Sequence, residues 1–383
     1  MSVTGPKGFS AAGVEAGLKT SGGKDVALVV NTGPQDVVAA VFTSNRCVAN
    51  PVVWSRQVVS AGRARAVVIN SGGANCYTGP EGFAITHDTA EMVAERLGIG
   101  AGEVVVCSTG LIGLLNDREA LLAGVDSAAD AVTFDGGQDA AEAIITTDSH
   151  PKQALVQRDG WSVGGMAKGA GMLAPSLATM LVVLTTDAVA DTATCDAALR
   201  AATRVTFDRL DSDGCQSTND TVALMANGAS GIEPTPAELS EALTEICHDL
   251  AQQLLHDAEG SEHDIAIEVV GAASDDDAVE VGRSIARNNL FKAAVFGRDP
   301  NWGRILAAVG TTRAAFDPAD LDVALNGVWV CRKGMAGEPP DTIDMTDRAV
   351  TVTVDLKSGE HRATVWTNDL THAYVHENSA YSS

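Results

Sequence analysis

Basic residues are scarce in this chain of 383 residues. There are 26 Lys and Arg against 50 Asp and Glu, which gives a formal net charge of −24. Such a surplus of negative charge argues against nucleic acid and against anionic membrane surfaces as partners. It does not argue against small anionic metabolites, because a single positioned cation can bind each of them. The longest apolar run, Met172 to Leu184, is too short to cross a bilayer, so no membrane partner is expected.

The Cys-x-x-Cys motif of redox and metal sites is also missing. The seven cysteines are scattered without such a pair, and among the eight histidines only His372 and His376 have the His-x3-His spacing. We therefore expect reduced cysteines that fill the core, and no metal site. The first residues contain no apolar segment of the kind that a signal peptide needs, so a cytoplasmic location is expected.

What the chain does contain is a globular composition with clear strand and helix patterns. Hydrophobic residues make up 45% and charged residues 20% of the sequence, and the length allows two or three domains. Residues 26–31 and 37–42 are predicted to be paired strands, because a Thr-Gly-Pro turn separates them. Apolar runs predict further strands at 64–69, 103–107, 143–148, 180–184 and 265–270, and helical spacing predicts helices at 81–97, 118–131, 195–206 and from 236 onward, after a Thr-Pro-Ala-Glu capping box.

The stretch from Gly164 to Leu184 carries the most chemistry. It joins a glycine-rich run, one Lys168 among small and apolar residues, and Pro175 to a strand that begins near Met180. Thr179 stands at the head of this strand. On local evidence Thr179 is either a strand cap after an ordinary crossover loop or a positioned nucleophile, which would need a base beside its hydroxyl.

Residues 168–181, KGAGMLAPSLATML, resemble without gaps the segment KGAGM-x-AP-x-x-ATML of the glutamate N-acetyltransferase family, also called ornithine acetyltransferase. The resemblance implies that the chain cuts itself between Ala178 and Thr179, and that Thr179 then becomes the acyl-accepting nucleophile. Its new α-amino group would be the base, because such amines titrate near pH ~8. Gly169 and Gly171 would allow the loop geometry that the cleavage needs.

A second motif, residues 108–113, STGLIG, resembles the family's STGVIG. The resemblance gives the hydroxyl of Thr109 and the backbone N–H of Gly110 the role of an oxyanion hole, in which fixed donors are worth roughly 3–4 kcal/mol each. The local sequence alone also fits a strand–turn–helix junction that Ser108 or Thr109 caps.

Three further polar segments resemble loops of that family. Residues 146–148 resemble its MTTD, and because side chains alternate along a strand, only one of Thr146 and Thr147 is expected to face substrate; we favour Thr147. Residues 70–79 resemble its NxGNANxxTG, with Gly73 in place of an asparagine. Residues 211–221 resemble its DGDTSTNDT. Their acidic start hints at calcium, but Val222 stands where an EF-hand has glutamate, so a hydrogen-bonded polar loop near the new N-terminus is expected.

The resemblance also assigns contacts to an amino-acid substrate. Glu259, in a DAEG segment, would bind the amino group that both substrates share, and Lys168 their carboxylate. The family folds its last residues over the site, which places Asn378 and Ser383 against ligand. The substrate-binding residues implied in this way are Thr146, Thr147, Lys168, Thr179, Glu259, Asn378 and Ser383.

The matching motifs occur in family order along nearly the whole chain. They imply an α/β (α+β) fold, a layered αββα sandwich of the self-cleaving aminopeptidase/ornithine acetyltransferase type with a smaller C-terminal α/β domain. Residues 1–178 and 179–280 would form the main domain, and 281–383 the C-terminal domain. The two fragments would stay associated, as a heterotetramer or a larger assembly.

The activity implied is that of a glutamate N-acetyltransferase of the cyclic arginine pathway. It would move the acetyl group from N2-acetyl-L-ornithine to L-glutamate through an acetyl-Thr179 intermediate, without metal or cofactor, and acetyl-CoA would take part only in a bifunctional enzyme. Two alternatives remain. One is a self-cleaving aminopeptidase or amidase of the same fold, in which water accepts the acyl group. The other is a non-catalytic binding protein whose glycine loops are plain turns.

Overall fold

The computed structural model describes residues 2–174 and 180–380, so Ala178, Thr179 and Ser383 lie outside the described residues. The strands run in chain order as β1 (Phe9–Val14), β2 (Val26–Asn31), β3 (Val37–Phe42), β4 (Ala66–Asn70), β5 (Val104–Ser108), β6 (Lys152–Gln157), β7 (Ser162–Lys168), β8 (Leu181–Thr186), β9 (Thr221–Ala226), β10 (Asp264–Ala272), β11 (Asp322–Leu325), β12 (Val328–Arg332), β13 (Met335–Ala336), β14 (Ala349–Asp355) and β15 (His361–Asn368). The helices are α1 (Asn50–Ser60), α2 (Gly79–Leu97), α3 (Arg118–Ala131), α4 (Gly137–Ile144), α5 (Thr192–Val205), α6 (Pro236–His256), α7 (Asp275–Ala286), α8 (Asn289–Phe296), α9 (Trp302–Val309) and α10 (His372–Ala380).

Two sheets form the centre of the first of two units, which consists of residues 2–171, 180–208 and 216–254. One sheet has the strand order β1-β2-β4-β5 and the other has the order β3-β9-β8-β7-β6. Apolar side chains from both sheets, among them Val29, Ile69, Met166 and Val183, share one buried core. The two sheets therefore face each other across that core.

Helices cover the outer faces of both sheets. Ile85 of α2 and Leu121 of α3 share a second core with the first sheet. On the second sheet, a Cβ placed on Gly165 would stand 2.9 Å from side-chain atoms of Leu184 in β8 and Leu250 in α6, so the glycine allows the helix to approach closely. The first unit is thus a layered αββα sandwich, which confirms the predicted α/β fold class.

The predicted pairing of residues 26–31 with residues 37–42 is wrong. Both segments are strands with the predicted bounds, but β2 lies between β1 and β4, whereas β3 pairs with β9 in the other sheet. The prediction assumed a hairpin because the two strands are close in sequence. Instead, the turn between them passes the chain from one sheet to the other, and the Asn31 side-chain amide supports it by donating to the carbonyl of Gln35 at 2.9 Å.

The strand predicted at residues 143–148 is wrong as well. Residues 137–144 form α4, and Ala140, Ala141 and Ile144, which are spaced as on one face of a helix, are buried in the core between the sheets. The chain leaves this helix in an irregular segment, where the carboxylate of Asp148 accepts a hydrogen bond from the N–H of Thr146 at 3.1 Å. By contrast, the helix predicted at residues 118–131 is confirmed with those bounds.

The second unit consists of residues 172–174, 209–215 and 255–380. Its sheet has the order β13-β12-β11-β14-β10-β15, in which β10 and β14 run parallel. Ile267 of β10, Val281 of α7 and Val352 of β14 belong to its buried core. Because β10 and α7 contribute to this core, the longest segment of the unit begins at Leu255, whereas the sequence placed the start of the C-terminal domain at residue 281.

The N-terminus of α6 has the predicted capping box. The side chain of Glu238 accepts a hydrogen bond from the backbone N–H of Thr235 at 2.8 Å, and the Thr235 hydroxyl accepts one from the N–H of Glu238 at 3.3 Å. This exchange satisfies two backbone donors that the first helical turn would otherwise leave without a partner.

Replacing Thr235 with alanine should lower the free energy of unfolding by about 1 kcal/mol, because the cap bond to Glu238 is lost. Urea unfolding followed by circular dichroism measures the change. Thr235→Ser keeps the hydroxyl and serves as the control. An equal loss in the serine and alanine variants would show that the hydroxyl does not stabilise the helix.

Candidate active site

Two parallel strands bring the predicted oxyanion loop to the edge of the first sheet. The register of β4 and β5 places Asn70 beside Ser108, and the Asn70 side-chain amide donates to the Ser108 hydroxyl at 2.7 Å. The backbone N–H of Thr109 donates to the carbonyl of Asn70 at 2.9 Å. The end of each strand therefore supports the other, and Thr109 leaves the sheet in a fixed direction.

Gly110 requires its glycine. Its φ of 128° lies in a region that other residues rarely adopt, and a Cβ at this position would stand 2.9 Å from the Cα of Gly73. Gly73 is itself crowded on another side, since a Cβ there would lie 2.9 Å from Oδ1 of Asn116. Asn116 thus fills the space next to the position where the family's asparagine is replaced by glycine.

Lys168 is the buried cation of this site. It is the last residue of β7 and only 2% exposed. Its ammonium donates to the hydroxyl of Thr109 at 3.2 Å and to the hydroxyl of Thr146 at 2.8 Å. A hydroxyl that accepts from an ammonium keeps its own hydrogen for another acceptor, and the nearby positive charge makes it a better donor.

The carboxylate of Asp148 holds the backbone at Thr146 and at Gly169, the residue after Lys168. Oδ1 accepts from the N–H of Gly169 and from the ammonium of Lys152, each at 2.6 Å, while Oδ2 accepts from the N–H of Thr146. Burial alone would raise the pKa of Asp148. The charges of Lys168 and Lys152 and these hydrogen bonds outweigh it, so the pKa lies below its ordinary value.

The residue that follows the predicted nucleophile is held by another buried acid. β8 and β9 run parallel with Leu181 beside Thr221, so Met180 and Asp220 lie next to each other just before the strands begin. Oδ1 of Asp220 accepts from the N–H of Met180 at 3.0 Å. The preceding residue, Asn219, donates its side-chain amide to the carbonyls of Ala74 at 2.6 Å and Ser108 at 2.9 Å.

In the second unit, the predicted substrate residues Glu259 and Asn378 contact each other. Asn378 lies in α10. Its side-chain amide donates to Oε2 of Glu259 at 3.1 Å and to the carbonyl of Tyr374, in the same helix, at 3.0 Å. A Cβ on Gly260 would stand 2.3 Å from the N of Tyr374, so the glycine after Glu259 lets α10 lie against it. Burial raises the pKa of Tyr374 to about 12, and the charges of Asp213 and Glu259 act in the same direction.

The structure thus brings together Thr109, Gly110, Thr146 and Lys168 in the first unit, and Glu259 with Asn378 in the second. Thr147 is exposed, whereas it is the Thr146 hydroxyl that contacts Lys168. Because these threonines do not lie in a strand, the alternation argument for Thr147 does not apply, and which of them faces substrate stays a prediction. The predictions for Ala178, Thr179 and Ser383 fall outside the described residues.

Sequence reasoning missed the side chains that hold this loop system in place. Two of them, Asn219 and Asp220, lie in the segment 211–221 that was expected to be a hydrogen-bonded polar loop, but the prediction did not single them out. Their signal is that only Thr221 separates them from the apolar segment VALM of β9, where burial demands hydrogen-bond partners. Asp148 was seen as part of a motif but not as a partner of Lys152. The missed residues are Asn70, Asn116, Asp148, Lys152, Asn219 and Asp220.

Among the described residues, His87, Asp88 and Glu91 of α2 bring three possible metal-ligand atoms within 4.8 Å of one another. Asp88 accepts from the guanidinium of Arg118 at 2.6 Å, and the ring of His87 packs edge-on against Trp54 with 5.1 Å between centroids. This group shares no residue with the Lys168 cluster. In the part of the chain that is described, no helix combines the length and the apolar character needed to cross a bilayer.

Chemically, the first unit offers the N–H of Gly110, whose φ is positive, and the hydroxyl of Thr109, which a buried ammonium polarises. Such donors stabilise the oxyanion of a tetrahedral intermediate, which acyl transfer forms. The αββα fold and this group of donors define the class of the protein: it is an enzyme equipped for acyl transfer.

Comparison with known proteins gives the family. The model of the ArgJ family matches residues 10–383. The arginine biosynthesis bifunctional protein ArgJ of Streptomyces coelicolor is 62% identical over 383 residues, which is 100% of both chains, and that of Mycobacterium tuberculosis is 54% identical over 389 residues, 100% of this chain and 96% of the relative. A solved structure of ornithine acetyltransferase with ornithine from Mycobacterium tuberculosis is 55% identical, covers 45% of this chain and 94% of its own, and has a TM-score of 0.45. The chain belongs to the ArgJ family, which confirms the resemblance, and it is an acyltransferase of arginine biosynthesis.

Asp148→Asn should lower the free energy of unfolding on the order of 3 kcal/mol near neutral pH, because it removes the carboxylate charge that the buried ammonium of Lys152 contacts at 2.6 Å. Since the folded-state pKa of Asp148 is lowered, this stabilisation is present above the ordinary aspartate pKa of about 4 and is lost as the pH falls through the folded-state value. Urea unfolding at a series of pH values measures the difference.

The matched control is Asp139→Asn, since Asp139 forms an exposed pair with Lys24 at 2.5 Å and should contribute less than about 1 kcal/mol. The difference between wild type and Asp148→Asn should shrink toward acid pH. If it stays constant from neutral to strongly acid pH, Asp148 is not ionised in the folded protein.

Proposed function

We propose that this chain is a glutamate N-acetyltransferase that moves the acetyl group of N2-acetyl-L-ornithine to L-glutamate through an ester on Thr179. The observation that carries the proposal is the contact between the buried ammonium of Lys168 and the hydroxyl of Thr109, beside Gly110. It supplies polarised donors in the same unit as Met180, the residue that directly follows Thr179 in the chain.

The nucleophile would arise by self-cleavage. The Thr179 hydroxyl attacks the carbonyl carbon of Ala178, the peptide C–N bond breaks, and the nitrogen gains a hydrogen to become the α-amine of Thr179. Water then hydrolyses the resulting ester and leaves a carboxylate on Ala178. The free amine is the base that the hydroxyl needs, because its pKa of about 8 lies near neutral pH.

Acetyl transfer would follow in two balanced halves. The Thr179 oxygen attacks the acetyl carbonyl of N2-acetyl-L-ornithine, the amide C–N bond breaks, and the hydroxyl proton reaches the leaving nitrogen through the α-amine. The α-amine of L-glutamate then attacks the ester carbonyl, the C–O bond to Thr179 breaks, and a proton from the glutamate nitrogen returns to the Thr179 oxygen through the α-amine of Thr179. In both halves the oxyanion would be stabilised by the hydroxyl of Thr109 and the N–H of Gly110.

Other parts of the proposal rest on motif positions. Glu259 would bind the amino group common to both substrates and Lys168 the carboxylate, with Thr146 or Thr147, Asn378 and Ser383 as further contacts. We propose a cytoplasmic enzyme that needs no metal or cofactor and whose two fragments stay associated in a heterotetramer or a larger assembly. The relatives are named bifunctional proteins, and if this chain is bifunctional as well, acetyl-CoA would be its second acetyl donor.

Thr179→Ala should leave a single uncut chain of 39.4 kDa without acetyltransferase activity, because both the nucleophile and the cleavage are lost. N-terminal sequencing and intact mass of the purified wild type should return two fragments, one of which begins at Thr179. Product analysis with and without L-glutamate separates the transferase from an amidase that uses water, and acetyl-CoA in place of N2-acetyl-L-ornithine tests the second donor. An active wild type with only its original N-terminus would contradict the proposal.

Thr109→Ala should lower kcat for acetyl transfer on the order of 10²-fold, because the hydroxyl that faces the oxyanion is removed. Thr109→Ser retains the hydroxyl and the bond from Lys168, so it is the control and should keep most of the rate. Steady-state kinetics of both variants, after complete self-cleavage, make the comparison. A kcat for Thr109→Ala equal to that of the serine variant would remove Thr109 from the oxyanion role.

A further inference from the structure

Two consecutive buried residues, Asn219 and Asp220, contact two different parts of the proposed site. Asn219 is 4% exposed and Asp220 is fully buried. Asn219 bonds to the loops at the edge of the first sheet, whereas Asp220 bonds to the chain just before β8 in the second sheet. They precede β9, and neither is used by the mechanism above.

Both the nitrogen and the oxygen of the Asn219 side chain form hydrogen bonds in this loop region. Its amide donates to the carbonyls of Ala74 and Ser108, and its oxygen accepts from the hydroxyl of Thr218 at 2.5 Å. The carbonyl of Ser108 belongs to the peptide whose nitrogen is that of Thr109. The bond to Asn219 therefore fixes the peptide plane from which the oxyanion loop begins.

Asp220 contacts the chain just before β8, in the second sheet. The N–H of Met180, to which Oδ1 of Asp220 is bonded, belongs to the peptide that joins Thr179 to Met180. Burial raises the pKa of Asp220 well above its ordinary value, and the Met180 N–H, the Lys168 charge and the Ser217 hydroxyl only partly oppose this. Oδ1 accepts from this N–H, and the side-chain oxygen of an asparagine can accept from it in the same way.

We propose that Asn219 and Asp220 are positioning residues that set the distance between Met180, which directly follows the proposed nucleophile in the chain, and the oxyanion donors, an inference that rests on the proposed function. The two residues share one peptide, so their Cα atoms are separated by about 3.8 Å. Any shift of one anchor relative to the other has to distort this short connection. Misplacement of reacting groups by about 1 Å is enough to lower a rate on the order of 10²-fold.

The test measures the rate of self-cleavage, kcat and KM for acetyl transfer, and the thermal midpoint of four variants beside the wild type. Asn219→Ala should lower kcat on the order of 10²-fold with little change in KM, because it loosens the oxyanion loop without touching substrate. Asp220→Ala should slow self-cleavage to a similar degree, and Asp220→Asn should restore most of that loss, since it keeps an acceptor for Met180.

Asn227→Ala is the matched control. Asn227 follows β9 at its other end, is fully buried, and donates to the carbonyl of Lys7 at 2.9 Å while accepting from the N–H of Ala229 at 2.9 Å. It should lower the thermal midpoint without lowering kcat. The proposal is overturned if Asn219→Ala and Asp220→Ala lose no more activity than this control. It is also overturned if Asp220→Asn is as slow as Asp220→Ala, since the acid itself, and not merely an acceptor for the Met180 N–H, would then be required.

Should Asn219→Ala fail to fold, Asn219→Asp replaces it, because it keeps the size and puts an oxygen where the amide donated to two carbonyls. It should lower kcat, and a kcat equal to that of the wild type would overturn the proposal. The wild type is the internal reference for the proposed function. If it cuts before Thr179 and transfers acetyl, that function stands whatever the four variants do.

Discussion

The burial of the Lys168 ammonium is the constraint on which the rest of the site depends. A cation taken out of water is costly unless it finds hydrogen-bond acceptors and an opposite charge. The hydroxyls of Thr109 and Thr146 supply acceptors, and the Asp148 carboxylate supplies the charge. The residues that make the ammonium tolerable are thus also the residues that orient it.

Two further lysines, Lys152 and Lys19, lie near Lys168 and Asp148. Asp148 also pairs with the fully buried Lys152. Burial lowers the pKa of the nearby Lys19, Asp25 opposes that effect, and the charge of Lys168 lowers the pKa further. In a chain with a formal charge of −24, such a concentration of cations is local and specific. It suits the proposed function, in which this site would attract the carboxylate of an amino acid and stabilise an oxyanion.

Sequence reasoning succeeded where a signal was local. Helical spacing located α3 to the residue, and the capping box located the start of α6, because both depend on neighbours within a few positions. It failed for the β2–β3 pairing, since strand pairing is decided by cores that assemble from distant segments. It also failed for residues 143–148, where an apolar run short enough for a strand belongs to a helix whose buried face lies between two sheets.

In the site, too, sequence reasoning identified the residues of local motifs but not the contacts between distant segments. Motifs named Thr109, Gly110 and Lys168, but nothing in the sequence said that a single carboxylate, that of Asp148, would reach Thr146, Lys152 and Gly169 at once. The departure at Gly73 is another case. The structure explains the glycine at this position, because Asn116 occupies the adjoining space and donates to the carbonyl of Gly73 at 3.3 Å.

The position of the polar pair Asn219–Asp220 follows from the architecture itself. The oxyanion loop starts at the carboxyl end of β5 in one sheet, whereas β8 begins next to Met180 in the other. Apolar contacts between two sheets resist separation but permit sliding, because they have no preferred direction. Hydrogen bonds are directional, so a buried amide and a buried acid on one connecting segment can fix the register that a hydrophobic core leaves free. In the proposed function the enzyme would need that register twice, first to cut its own chain and then to move an acyl group.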